Sequence, residues 1–276
     1  KVAVQHHHAH AVACMAENEL DEPVIAITLD GTGLGTDGHI WGGEILIAGL
    51  DSFERKTQLD YIDMPGGDAA VLEPWRMAAS ILFKAFGRDA AGLDIPFIKE
   101  MDKTKFDFIM QMIEKGVNSP KTSSCGRVFD AVSALLNIRH VISHEGQAAM
   151  ELEAVADQTA PYSPYAYDLS EPSGEKGWII SLLPGISQMV DDIQNRKSNS
   201  IISARFHSTI IDCFSKAASR ISASNGIKKV VLSGGVFNND IIFNGMIRAL
   251  EQKGLDVYTH SKVPAGDGGI SFGQAV

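Results

Sequence analysis

Two apolar strands that each break into a glycine-rich run constrain this chain more than anything else in it. Val24-Ile25-Ala26-Ile27-Thr28-Leu29 is long enough for a buried strand and stops at Asp30-Gly31-Thr32-Gly33-Leu34-Gly35. Lys229-Val230-Val231-Leu232 does the same at Ser233-Gly234-Gly235-Val236-Phe237-Asn238-Asn239, and a helical pattern from Ile241 to Gln252 follows. Glycines carry no Cβ, so backbone N–H groups can approach an anion, and both units suit a phosphate or a base lying against the main chain. A plain hairpin turn competes for the first unit, because after Asp37-Gly38 an alternating run from Ile40 to Ala48 gives the strand a partner. In the second unit the two asparagines can fix a sugar or simply cap the helix.

The beginning of the chain brings a different chemistry. His6-His7-His8-Ala9-His10 puts four imidazoles in five positions and runs on through Ala11 to Glu17. Alanine and unbranched side chains make this a helix, with no glycine or proline to interrupt it. His6 and His10, four apart, then share one face, and two neutral imidazoles so placed are half of a divalent-metal site. His7 and His8 face elsewhere. A purification-tag remnant is the bland alternative, but a tag is normally uninterrupted and does not run into a patterned helix; ordinary surface or core histidines are another. Cys14 continues the stripe and reads either as a ligand or as a small core residue. Far downstream, Pro264-Ala265-Gly266-Asp267-Gly268-Gly269-Ile270-Ser271-Phe272-Gly273 sets an acid in a glycine-rich turn. A carboxylate is what two imidazoles need to complete a three-ligand site with open positions; alone, it is an Asp-Gly turn.

Between these segments, residues from about Asp51 to Asp68 look irregular, and Trp75 to Lys84 resumes a helical pattern. Phe106 to Lys115 reads as a peripheral amphipathic helix. Ser123 and Ser124 can cap a helix in which Arg127 and Asp130 stand three apart, either toward a ligand at the helix start or as an exposed ion pair. His144 to Glu153 starts another helix, with Gly146 small enough for close approach. Pro161 to Gly177 reads as a loop between two halves, Trp178 to Leu182 as a strand, and Ile201 to Ser222 as a long helix carrying Arg205-Phe206-His207.

The 276 residues, 45% of them hydrophobic, can bury a core of one large domain or two lobes. No apolar run reaches the roughly 18 residues of a membrane span, and the order of a signal peptide is missing. Lys plus Arg is 24 against 34 for Asp plus Glu, and a net charge of −10 leaves no broad face for nucleic acid. Cys14, Cys125 and Cys213 are far apart and odd in number, which fits a reducing cytoplasm rather than a disulfide framework.

With HHHAH, LDGTGLG, GRVFDAVSALL, EGQAA, RFH, LSGGVFNN and GDGGISFGQ in this order, the chain resembles the C-terminal carbamoyltransferase domain of the hydrogenase maturation family HypF, over essentially its whole length. The resemblance implies an α/β, two-lobed actin, Hsp70 and sugar-kinase-like (ASKHA) fold with a central nucleotide cleft. The first lobe would span 1–160, N-terminally truncated and carrying a helical insertion, and the second 161–276. It implies His6, His10 and Asp267 as ligands of a divalent metal, zinc or iron, with Asp30 at or beside the metal. Leu29, Asp30, Gly31, Thr32 and Gly33 would cradle the phosphate of ATP, AMP or carbamoyl adenylate, Asp130 and Gly146 the ribose, and Gly234, Gly235 and Asn239 the nucleoside. Asp30 and His207 are the implied catalytic groups, His207 as a base or as a packing residue. The implied reaction moves a carbamoyl group from carbamoyl adenylate to the C-terminal cysteine of HypE, on the route to the cyanide ligands of nickel-iron hydrogenase. A compact domain rarely begins at its metal ligands, so the chain is expected to be a fragment. The family's acylphosphatase-like, zinc-finger and carbamoyl-adenylate-forming domains would lie upstream, and the activities that make the activated carbamoyl group would be lacking.

Three other readings share these motifs. A tRNA threonylcarbamoyl transferase is disfavoured by the acidic balance and by Asp30, where that branch usually has a small polar residue. A small-molecule O-carbamoyltransferase uses the same donor and metal logic. A nucleotide-binding scaffold module of the same fold would bind and transfer nothing.

Overall fold

The structure, a computed structural model, describes residues 3–159, 161–171 and 177–276. The histidine-rich opening is helix α1 (His6–Glu17), capped by Gln5, whose side chain accepts from His8 N. The chain then pleats through β1 (Val24–Leu34), β2 (Ile40–Ala48), β3 (Phe53–Leu59) and the short β4 (Ile62–Asp63). Helices α2 (Asp68–Leu72), α3 (Trp75–Phe86), α4 (Pro96–Glu100) and α5 (Lys103–Lys115) lead to β5 (Lys121–Thr122), α6 (Cys125–Leu135) and α7 (Gln147–Ala154). Then come β6 (Asp168–Ser170), β7 (Trp178–Ser181), α8 (Leu183–Gln194) and the long α9 (Asn199–Asn225). The last elements are β8 (Lys229–Ser233), α10 (Asp240–Glu251), β9 (Asp256–Tyr258) and α11 (Ile270–Ala275). Among the described residues no helix is long and apolar enough to cross a membrane.

The strands form one mixed sheet in the order β6-β7-β3-β2-β1-β8-β9, with β5 paired to β2 off this path and β4 paired to β5. The pairs β1–β2 and β2–β3 are antiparallel, whereas β1–β8, β8–β9 and β3–β7 are parallel. The fold is therefore α/β around a mixed sheet. Central β1 is apolar on both faces because both are covered. Side chains alternate along a strand, so Ile25, Ile27 and Leu29 enter the main core while Val24 and Ala26 pack with Ala11, Cys14 and Met15 of α1. The same parity sends Val231 of β8 toward α1 and Val230 and Leu232 to the other side. It also aims Asp30, inside β1, and Ser233, at the end of β8, at the histidine helix.

Several sequence expectations change here. The hairpin reading holds, but its turn lies at Gly35–Gly38, and most of the glycine run is strand: β1 continues through it to Leu34, with a register shift between Leu29 and Gly33. This bulge frees Asp30 from the regular ladder. The stretch from Asp51 to Asp68 contains β3, whose charged residues hide its alternation. Part of the loop from Pro161 to Gly177 is β6, and residues 172–176 of it lie outside the described residues. β7 joins the sheet at β3 and β8 joins it at β1, so the expected division at 160/161 does not separate two sheets.

Candidate functional site

His6 and His10 lie one turn apart on α1 and meet Asp30 at the β1 bulge. Their Nε2 atoms stand 2.9 and 3.2 Å from Asp30 Oδ2, and each is 3.5 Å from Asp267 Oδ1. One donor atom from each of the four residues lies within 4.8 Å of all the others. Ligand atoms about 2.0–2.2 Å from a shared ion stand about 3 Å or a little more apart, so the spacing and the two-imidazole, two-carboxylate donor set fit a divalent cation. Cys14 is not part of the cluster; its Sγ points at Tyr258 O. His7 and His8 do face elsewhere: His7 is buried beside Trp41, and His8 Nε2 pairs with Gly49 O at 2.8 Å.

Asp30 ties the parts together. Its Oδ1 accepts from Gly235 N at 3.0 Å, just beyond β8, while Oδ2 serves the imidazoles. Burial alone would raise the Asp30 carboxyl, but the His10, His6 and Gly235 hydrogen bonds hold it well below the usual carboxylate range. Burial would lower His6, and the hydrogen bond and charge of Asp30, with the charge of Asp267, raise it instead. His10 is sealed, with its side chain 1% exposed, whereas Asp267 is 70% exposed and gives the cluster its open side.

That open side borders a cavity of about 360 Å³. Asp30, Gly31, Gly235 and Asp267 line it at the cluster end together with Arg127, whose Nη2 would stand 3.5 Å from a Cβ on Gly31; Asp130, Gly146 and Asn239 also line it, with Phe129, Met150 and Val236 as apolar wall. Arg127 and Asp130 reach it because α6 is buried all round. Ser124 caps α6 by accepting from Arg127 N at 3.0 Å, and its hydroxyl donates to Asp30 O at 3.0 Å and to Gly31 O. The Arg127–Asp130 pair, 2.9 Å apart, is thus a buried one rather than the exposed alternative. Burial pushes the Asp130 carboxyl up to about 6, against the pull of Arg127. Gly146 caps α7 in the left-handed region at φ 74°, which glycine adopts without strain.

Other expected contacts fall outside the cavity. Leu29 is core, Thr32 is exposed, and Gly33 packs under the His6 and His7 rings, where a Cβ would come within 2.7 Å of both. Gly234, at φ 109°, turns its face to β1, and a Cβ there would lie 2.2 Å from Leu29 O. His207 corrects the expectation of a base. It is fully buried, its Nδ1 donating to Ser203 O at 2.8 Å and its Nε2 accepting from Asn239 Nδ2 at 3.0 Å, so it cannot meet an incoming thiolate. Asn239 caps α10, accepting from Ile242 N with its other amide atom, and still lines the cavity. Glu145, Glu153 and Asn238 also line it. On a sequence they look like ordinary exposed helix and turn residues, and no local signal marks them.

Residues 26–274 match the family model described as a carbamoyltransferase, Kae1-like domain, second subdomain. The chain is 36% identical to carbamoyltransferase HypF2 of Cupriavidus necator, covering 99% of this chain and 36% of that one. It is also 36% identical to the probable carbamoyltransferase HypF of Methanocaldococcus jannaschii, covering 99% of this chain and 35% of that one. The chain thus spans about a third of the length of these relatives. Among solved structures, full-length HypF in its phosphate- and nucleotide-bound form superposes with a TM-score of 0.92 at 41% identity, covering 100% of this chain and 42% of that one. HypF of T. kodakarensis gives 0.84 at 34% identity, over 99% of this chain and 35% of its own. With the family model spanning nearly the whole chain, this chain belongs to the HypF carbamoyltransferase family, as its Kae1-like second subdomain.

Proposed function

We propose that this chain holds the nucleotide end of carbamoyl adenylate beside a divalent metal, and serves transfer of the carbamoyl group to the C-terminal cysteine of HypE. The observation that carries this reading is a shared wall: Asp30 and Asp267 belong both to the four-donor cluster and to the cavity lining. The nucleotide-bound form of a 41% identical relative supports a nucleotide as the occupant. Its phosphate lies toward Gly31, Gly235 and the Arg127 guanidinium, its ribose toward Asp130, Gly146 and Asn239, and its base against Phe129, Met150 and Val236. This orientation puts the reacting end next to the cluster.

The metal, zinc or iron, is held by His6, His10, Asp30 and Asp267, and when bound it supplies Lewis-acid polarisation of a carbonyl or phosphoryl oxygen. Transfer then needs a thiolate sulfur to attack the carbamoyl carbon, the bond from that carbon to the phosphate oxygen to break, and AMP to leave with the electron pair. The chain supplies positioning and charge for this, not the nucleophile, since its three cysteines are buried and none lines the cavity. The partner's thiol enters from the open Asp267 side. The finer two-lobed ASKHA architecture belongs to the same proposal, supported by the mixed sheet and its HypF neighbours, and unpaired cysteines support a cytoplasmic setting.

The test is calorimetric titration of AMP and of zinc into the chain and into Asp130→Ala and His6→Ala/His10→Ala variants. The reading expects AMP binding that weakens in Asp130→Ala, and zinc uptake that the histidine double variant loses. Wild-type protein that takes up neither would sink it.

A further inference from the structure

His10 begins a hydrogen-bond chain that the transfer reading does not use. Its Nδ1 lies 3.3 Å from Ser233 Oγ, Ser233 Oγ lies 2.9 Å from His260 Nε2, and His260 Nδ1 lies 3.1 Å from Glu17 Oε2. Helix α1 supplies both ends, β8 supplies Ser233 from the position its parity aims at α1, and the segment after β9 supplies His260. All four side chains are shielded, those of His260 and Glu17 being 5% and 3% exposed. A buried polar run of this kind holds only if every donor meets an acceptor.

The directions follow from the two ends. If His10 presents Nε2 to a metal, its Nδ1 carries the hydrogen and donates to Ser233 Oγ. At the far end the Glu17 carboxylate can only accept, so His260 carries its hydrogen on Nδ1. A neutral His260 ring then leaves Nε2 as an acceptor, and the Ser233 hydroxyl donates to it. The Glu17 carboxylate also accepts from Ser261 N at 2.7 Å, Ser261 Oγ at 2.8 Å, Val263 N at 3.3 Å and Lys262 N. The residue that terminates the chain therefore also fastens the segment that runs on to Asp267.

We propose that Ser233, His260 and Glu17 are positioning residues of the metal site: the chain fixes the tautomer and ring plane of His10, and Glu17 sets the approach of Asp267. The inference rests on the metal reading of the four-donor cluster. Partners that orient a ligating imidazole typically contribute 10–100-fold in metal affinity.

The experiment measures zinc affinity by competition with a chromophoric chelator, and the visible absorption of the cobalt(II) protein. Wild type, Ser233→Ala, His260→Phe, His260→Gln and the ligand control His10→Ala are compared, with metal-free melting curves for each. Ser233→Ala and His260→Phe are expected to bind zinc about 10–100-fold more weakly and to shift the cobalt bands. His260→Gln, whose amide oxygen can stand in for Nε2 as the acceptor of the Ser233 hydroxyl, recovers part of the loss; a merely structural role predicts no such rescue. Should His260→Phe fail to fold, Ser233→Ala, which removes one oxygen, still decides. Wild-type zinc affinity and cobalt spectrum in Ser233→Ala and the folded His260 variants, with His10→Ala weakened, would overturn the positioning shell and leave the metal reading standing. Absence of zinc binding by wild type would overturn both.

Discussion

Substituting His207 by Gln separates a buried positioning residue from a catalytic base, and the structure sets the size of the effect. Burial holds this imidazole down to about 4, from 6.5, against the opposing hydrogen bond to Ser203 O. At pH 7.5 neither the folded nor the unfolded chain protonates it. As pH falls through 6.5 the unfolded chain takes up a proton that the folded chain refuses until about pH 4, so stability is lost in that window. At about 1.36 kcal/mol per pH unit, His207 alone costs the fold about 2 kcal/mol between pH 7.5 and pH 5. Glutamine does not titrate. The variant starts about 1–3 kcal/mol less stable at pH 7.5, from an imperfectly satisfied Asn239 or Ser203, and the gap to wild type narrows by about 2 kcal/mol at pH 5. Urea unfolding of both proteins at the two pH values, with equal m-values, reads this directly. Because His207 holds Nδ2 of Asn239, AMP affinity should fall as well. Parallel loss of stability in variant and wild type, with unchanged AMP binding, would refute the reasoning.

Two further outcomes follow from the packing. A Cβ on Gly273 would lie 1.9 Å from Ala9 O, so Gly273→Ala must push α11 off α1; we expect a loss of about 1–3 kcal/mol in a thermal melt and weaker zinc binding, because α11 begins at Ile270, one short turn after Asp267. Unchanged melting and zinc affinity would mean that α11 does not hold the site. Burial pushes the Cys14 thiol up to about 12, and raises Cys125 and Cys213 too. Iodoacetamide at pH 8 should therefore leave the native chain unlabelled by mass spectrometry and modify all three cysteines in urea; rapid native labelling would reopen the question of an internal acceptor.

What could be read from the sequence was what local chemistry decides. Alanines and the absence of Gly or Pro made α1 legible, and with it the shared face of His6 and His10. The unbroken apolar run of β1 announced a strand covered on both faces. β3 stayed hidden because its interior charge is settled by partners distant in sequence: Arg55 donates to Asp37 and Glu44 and lies 3.9 Å over the Trp41 ring. Without those partners Phe53-Glu54-Arg55-Lys56-Thr57-Gln58-Leu59 looks like a solvated link. The glycines misled in a different way. Gly33 and Gly234 suggest ligand contact, yet they are small because a histidine pair and a neighbouring strand press on them. His260 and Glu17 carry no pattern at all, since their pairing exists only after β9 brings the end of the chain back to α1.

The division between legible and hidden residues also bears on how the site works. Burying a carboxylate beside two imidazoles costs several kcal/mol unless its hydrogen-bonding capacity is filled. Asp30 meets that condition through His6, His10 and Gly235 N, and His10 meets it through Ser233. These groups are therefore fixed before anything binds. Asp267 is the exception, 70% exposed, its carboxylate reaching the imidazoles at 3.5 Å without a side-chain hydrogen bond among the described residues. His10 is sealed, Asp30 and His6 are 10% and 21% exposed, and Asp267 is open, so the cluster is accessible mainly from one direction. That direction is the cavity side, where Asp267 stands between the imidazoles and the space proposed for the nucleotide.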